Sequence, residues 1–191
     1  MDLHFTTMQL VAIVIAVVAV AIALVAAYVL KRRATSAKLR HKFGSEYELA
    51  LQKEGSERAA EAKLLDREKR VETLNIRDLD PAERGRFLEQ WKTIQSLFVE
   101  SPAGAVTQAD ELVKSLMQSR GYPVSDFEQR AADISVDHPR VTANYRAAHA
   151  IALQLGKSEA STEDLRMAMV HYRSLFDELV QPGRVDKKVA A

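Results

Sequence analysis

Residues 10–30 read LVAIVIAVVAVAIALVAAYVL, and no charged or strongly polar side chain interrupts these 21 positions. At 1.5 Å per residue, a helix of that length spans ~31 Å, about the thickness of a bilayer's hydrocarbon core. A helix bonds its own amides and carbonyls, so it can lie in lipid without water. The stretch predicts one transmembrane helix, Leu10–Leu30, with Gln9 at its near edge and Tyr28 placed to anchor at the interface. A cleaved leader is the competing reading. It requires a basic start, a shorter apolar stretch and a small-residue cleavage site. The start here, MDLHFTTMQ, has no Lys or Arg, and patterns such as Ala19-Val20-Ala21 lie inside the apolar run.

The charges next to this run orient it. No Lys or Arg precedes Lys31, whereas Lys31, Arg32, Arg33, Lys38, Arg40 and Lys42 follow within twelve positions that hold no acid. Basic residues stay on the cytoplasmic side, so residues 1–9 are expected outside and the C-terminal region in the cytoplasm. The same six side chains are candidates for contact with anionic lipid headgroups. Within the span, Ala12, Ala16, Ala19, Ala23 and Ala26 recur at spacings of four and three. Such a seam of small residues permits close helix approach, and makes these alanines candidates for self-association in lipid.

Residues 43–191 carry 21 basic and 25 acidic side chains, a mildly acidic balance. The whole chain is nearly neutral at +1, which argues against a nucleic-acid binder built on a large positive field. The absence of cysteine excludes disulfides, thiolate zinc sites and a Cys nucleophile.

Helix signals dominate after the basic segment 31–44. Ser45-Glu-Tyr-Glu48 has the form of a capping box, opening a short helix that Gly55 stops. Ser56 can cap a highly charged helix, Glu57–Leu74, whose few apolar positions are Ala60, Leu64, Val71 and Leu74. That helix reads either as a solvated stalk or as one lying along the domain on a narrow stripe, and 45–79 as a whole is expected to be a charged helical stalk.

Asp80-Pro81-Ala82-Glu83 is a helix start, followed by Phe87, Trp91, Ile94 and Phe98 on one face. Ser101-Pro102 opens a helix that Gly121 ends, and Ser125-Asp-Phe-Glu128 opens another through Ile134. Asp137-His138-Pro139 starts a helix bearing Val141, Tyr145, Ala148, Ala152 and Leu155, with Gly156 at its end. Ser161-Thr-Glu-Asp164 starts the last, with Leu165, Met169, Tyr172, Phe176 and Leu179 inward, and Gln181-Pro182-Gly183 stops it. No period-two alternation and no hairpin signal occurs. The expected fold is all-α: a transmembrane helix, a charged stalk helix and a compact helical bundle over 80–181, with a disordered tail at 182–191.

No phosphate-binding glycine loop, nucleophile elbow or zinc-helix motif is present. The one polar cluster of note is Asp126, Glu128, Asp133, Asp137, His138, Tyr145, Arg146 and His149. If the short helix folds back on the next, His138, Asp133 and His149 could converge as a metal or acid–base site. The plainer reading makes Asp137 a cap and His149 an ordinary partly buried histidine. No catalytic residue, metal ligand or cofactor is picked out on this basis.

Phe43-Gly-Ser-Glu-Tyr47, the stretch Phe127 to Pro139 and the stretch Glu163 to Arg173 resemble a family of small bacterial membrane-anchored proteins without an assigned activity. The resemblance implies a single-pass inner-membrane protein with a helical soluble region, and brings no catalytic residues. The leading expectation is a membrane-tethered interaction or scaffold module whose partners are membrane lipid and a protein or a second copy at the cytoplasmic face. The alternatives are a metal or enzymatic domain using 126–149, and a small-ligand sensor with a pocket between helices.

Overall fold

The computed structural model describes residues 7–123, 125–155 and 160–181, with side chains from Val11 onward. The N-terminal residues 1–6, Gly156 as a helix stop, Pro182-Gly183 and the tail 182–191 lie outside the described residues. The described residues form helices and no strand.

The first helix, α1, runs Thr7–Phe43, well beyond the apolar span. Nothing between Leu30 and Phe43 breaks it, because the first glycine is Gly44, at φ 51°. The basic segment is therefore helical up to Phe43. Thr35 and Ser36 donate back to the carbonyls of Lys31 and Arg32, each at 3.1 Å. All side chains from Val11 to Leu30 are exposed, on every face of the helix. Among the described residues, α1 is the one helix long and apolar enough to cross a membrane.

The chain divides into two compact units, Met1–His41 and Lys42–Ala191. Seven helices build the second: α2 (Ser45–Glu54), α3 (Glu57–Glu72), α4 (Pro81–Glu100), α5 (Pro102–Ser119), α6 (Phe127–Asp137), α7 (Pro139–Leu155) and α8 (Thr162–Val180). The charged stalk expected over 45–79 does not stand apart: of the two readings of 57–74, the structure shows a helix lying along the domain, and α2 packs there as well. The pair α2–α3 rests on α6 and α7, within the same unit as the bundle.

Local signals explain most helix ends. Asp80 with Glu83, and Ser161 with Asp164, form full capping boxes. Ser56 accepts from the Ala59 amide at 3.3 Å. Three expected caps moved. Gly44 precedes α2 and Ser45 is its first helical residue, with no side-chain cap bond. Asp126, not Ser125, caps α6 through the Gln129 amide at 2.9 Å. Asp137 does not cap α7 either: it ends α6, which runs three residues past Ile134, and its carboxylate accepts from the Tyr122 hydroxyl at 3.0 Å. After α5, the Tyr122 amide bonds Met117 O and the Gly121 amide bonds Gln118 O. This pairing demands a left-handed residue, supplied by Gly121 at φ 96°. A Cβ there would also stand 2.3 Å from the Asn75 carbonyl oxygen.

The main core lies among α4, α5, α7 and α8. Trp91 stacks on Phe176 at 4.7 Å between centroids. Ala105, Val113, Leu116, Tyr145, Leu175 and Leu179 close around them without measurable exposure. Arg120, only 2% exposed, ties the 73–80 connection to this core: its guanidinium donates to Arg77 O, Leu179 O and Asp78.

Candidate functional site

The polar cluster foreseen around 126–149 is present, but its members face different partners. Asp133, fully buried, accepts from Arg70 of α3 and, at 2.9 Å, from Gln129. His138 Nδ1 lies 3.1 Å from Glu178. His149 stacks on Phe127, with ring centroids 3.7 Å apart, and its Nδ1 is buried without a hydrogen-bond partner. Arg130 donates to the Tyr145 hydroxyl at 3.2 Å and to the Ser125 carbonyl. Among the described residues, no three His, Asp or Glu side chains are arranged to hold a metal ion.

Two assemblies organise these groups instead. The first is the joint between α2–α3 and α6–α7. Its centre is Glu46, 2% exposed. Glu46 Oε1 accepts from Arg146 Nε at 2.7 Å, and Oε2 accepts from Arg146 and Arg67, each at 3.2 Å. Arg67 also reaches Ser135 at 3.5 Å, while Lys53 pairs with Glu128 at 2.7 Å. Burial works to lower the Arg146 pKa, but Glu46 and Glu128 outweigh it and raise it. The Lys53 ammonium, with Arg146 beside it, holds Glu128 below the usual carboxylate range. A polar cleft of about 300 Å³ opens at this joint, lined by Lys53, Lys63, Arg67, Arg70, Asp126 and Glu128 among others.

The second assembly lies among α5, α7 and α8. The Tyr172 hydroxyl donates to Asp110 at 3.0 Å, and Lys114 pairs with the same carboxylate at 2.6 Å. Burial, reinforced by Asp110, pushes the Tyr172 phenol far above its ordinary value. Burial also raises Tyr145, despite the opposing pull of Arg130. Both phenols stay protonated at neutral pH, so they serve as hydrogen-bonding groups rather than as bases. Burial is also the main reason that His149 is lowered and neutral at physiological pH, against the pull of Asp110.

Glu46, Arg67, Arg70, Asp110 and Lys114 were not singled out from the sequence. One signal was available: Arg67 fills the place between Leu64 and Val71 on the buried stripe of α3. Asp110 likewise sits beside Ala109 on the buried side of α5.

The six basic residues expected at the headgroups lie in the last four turns of α1. Lys42 belongs to the compact unit, where its ammonium pairs with Glu68 and sits 5.5 Å from the Phe43 ring centre. Ala12, Ala16, Ala19, Ala23 and Ala26 are all exposed on α1. No family model, curated protein or solved structure matches the chain.

Proposed function

We propose that this chain is a single-pass membrane protein whose compact helical unit works at the cytoplasmic face as an interaction or scaffold module. The observation that carries this reading is α1: every side chain from Val11 to Leu30 is exposed and none is charged. About twenty bare aliphatic side chains in water carry a large unfavourable free energy that lipid removes. The basic residues from Lys31 onward, with none before, support a cytoplasmic C-terminal side. A bacterial inner membrane is the setting suggested by the resemblance of the Phe43, Phe127 and Glu163 segments. The expected partners are lipid around α1 and a protein, or a second copy, at the compact unit. The alanine seam is the part of α1 best shaped for approach of a second copy.

Membrane fractionation with alkaline carbonate tests the anchor. The full chain should stay with the membrane and leave it only in detergent. A reporter fused after Ala191 should be active in the cytoplasm alone. Recovery of a trimmed chain in the medium, or a reporter active only outside the cytoplasm, refutes the reading. For the module, cross-linking in intact membranes should give a discrete heteromeric or dimeric product. A strictly monomeric protein with no cross-linked product counts against it.

A further inference from the structure

We propose that α2 and α3 form one releasable arm, latched to α6–α7 by Glu46, that opens as a unit while α4, α5, α7 and α8 stay folded. The arm has its own small core. Tyr47 and Ala50 of α2, with Ala60, Leu64 and Val71 of α3, are buried, yet none joins the main cluster that begins at Leu79.

Ion pairs bridge the seam between arm and bundle, beside apolar groups such as Ala50 and Ala132. Glu46–Arg146, Arg70–Asp133 and Lys53–Glu128 all cross it. Arg67 and Asp133 each keep one buried polar atom without a partner, Nε and Oδ2 respectively, against one, Trp91 Nε1, in the main core cluster. A cleft of about 300 Å³ further loosens the seam. Buried ion pairs recover little more than the cost of removing both charges from water. Unmet polar atoms subtract from that gain. The seam therefore holds less firmly than the aliphatic and aromatic core, and local opening follows the weakest boundary.

The hinge is also defined. From Leu74 on, the connection is fixed to the bundle. Leu74 and Ile76 pack against the main core. The Arg77 amide bonds Arg120 O at 2.8 Å, and the Arg120 guanidinium holds Arg77 O and Asp78. Opening consequently stops at Thr73, where α3 ends. Release uncovers Asp133, Ser135 and Arg146 on α6–α7, so the arm acts as a cover over a charged face.

Hydrogen–deuterium exchange of the full chain in detergent micelles tests this. In the unaltered protein, amides of 45–72 should exchange together, roughly tenfold or more faster than those of α5 and α8. Glu46→Gln and, separately, Arg146→Gln should speed exchange in 45–72 and leave α5 and α8 unchanged. Lys53→Glu, a milder change at the exposed edge, should give a smaller acceleration confined to the same segment. Equal protection of 45–72 and α5 in the unaltered protein overturns the proposal. So does acceleration by Lys53→Glu that spreads evenly over all helices of the unit.

Discussion

The core around Trp91 and the seam around Glu46 are both well buried, and they are held by opposite means. Trp91 and Phe176 are 4% and 0% exposed and meet face to face, surrounded by aliphatic side chains. Glu46 is as deeply buried at 2%, but its neighbours are two guanidinium groups. Apolar burial is non-directional and survives small adjustments. A buried carboxylate depends on every partner keeping its place, because an uncompensated charge in the interior is costly. Equal burial therefore does not mean equal firmness.

The contrast can be broken from either side. Trp91→Ala should have the largest effect, about 4 kcal/mol, by opening a cavity in the main core. Denaturant unfolding of the chain in detergent should show α4–α8 losing stability together, and an unchanged midpoint would end the comparison. Glu46→Gln should come next, lowering the opening free energy of α2–α3 by up to about 3 kcal/mol. Its signature is early cleavage by protease within 45–72 while the remaining fragment stays folded.

Tyr172→Phe sharpens the contrast further by removing a polar contact inside the apolar core. Loss of the hydroxyl leaves Asp110 with Lys114, and the expected cost is about 1.5 kcal/mol by denaturant midpoint. A loss as large as that of Trp91→Ala would show that the second polar assembly, not the apolar packing, dominates.

The smallest effect concerns pH. His149 is held below the 6.5 of a free histidine, so unfolding lets it bind a proton that the folded state resists. Its contribution to stability is full above about pH 6.5 and declines as pH falls toward its lower folded value. His149→Asn should remove that component from a series of thermal melts between pH 7.5 and 5. Identical slopes for both proteins would disprove the assignment.

Much of the fold was legible in the sequence. Phe87, Trp91 and Ile94 fall at the period of a helix and are buried as that period requires. The Asp80-Pro81 and Ser161-Asp164 boxes start helices where they stand. The Ser45 and Ser125 boxes misled because each had a competitor one residue away. Gly44 supplied the positive φ that turns the chain before α2, and Asp126 was the acceptor nearer the α6 amides. The chemistry of 126–149 was legible only as a collection of residue types. Asp133 took Arg70, 63 residues away, and Arg146 took Glu46, 100 residues away.

By itself, then, the sequence determined the helices, most of their ends and the long apolar span, because periodicity, capping and hydropathy act over a few neighbouring residues. Tertiary structure alone decided which charges are buried and with whom. Whether Glu46, Arg67 or Asp133 stands in water or inside depends on side chains brought in by distant helices, and desolvation is repaid only where those partners arrive.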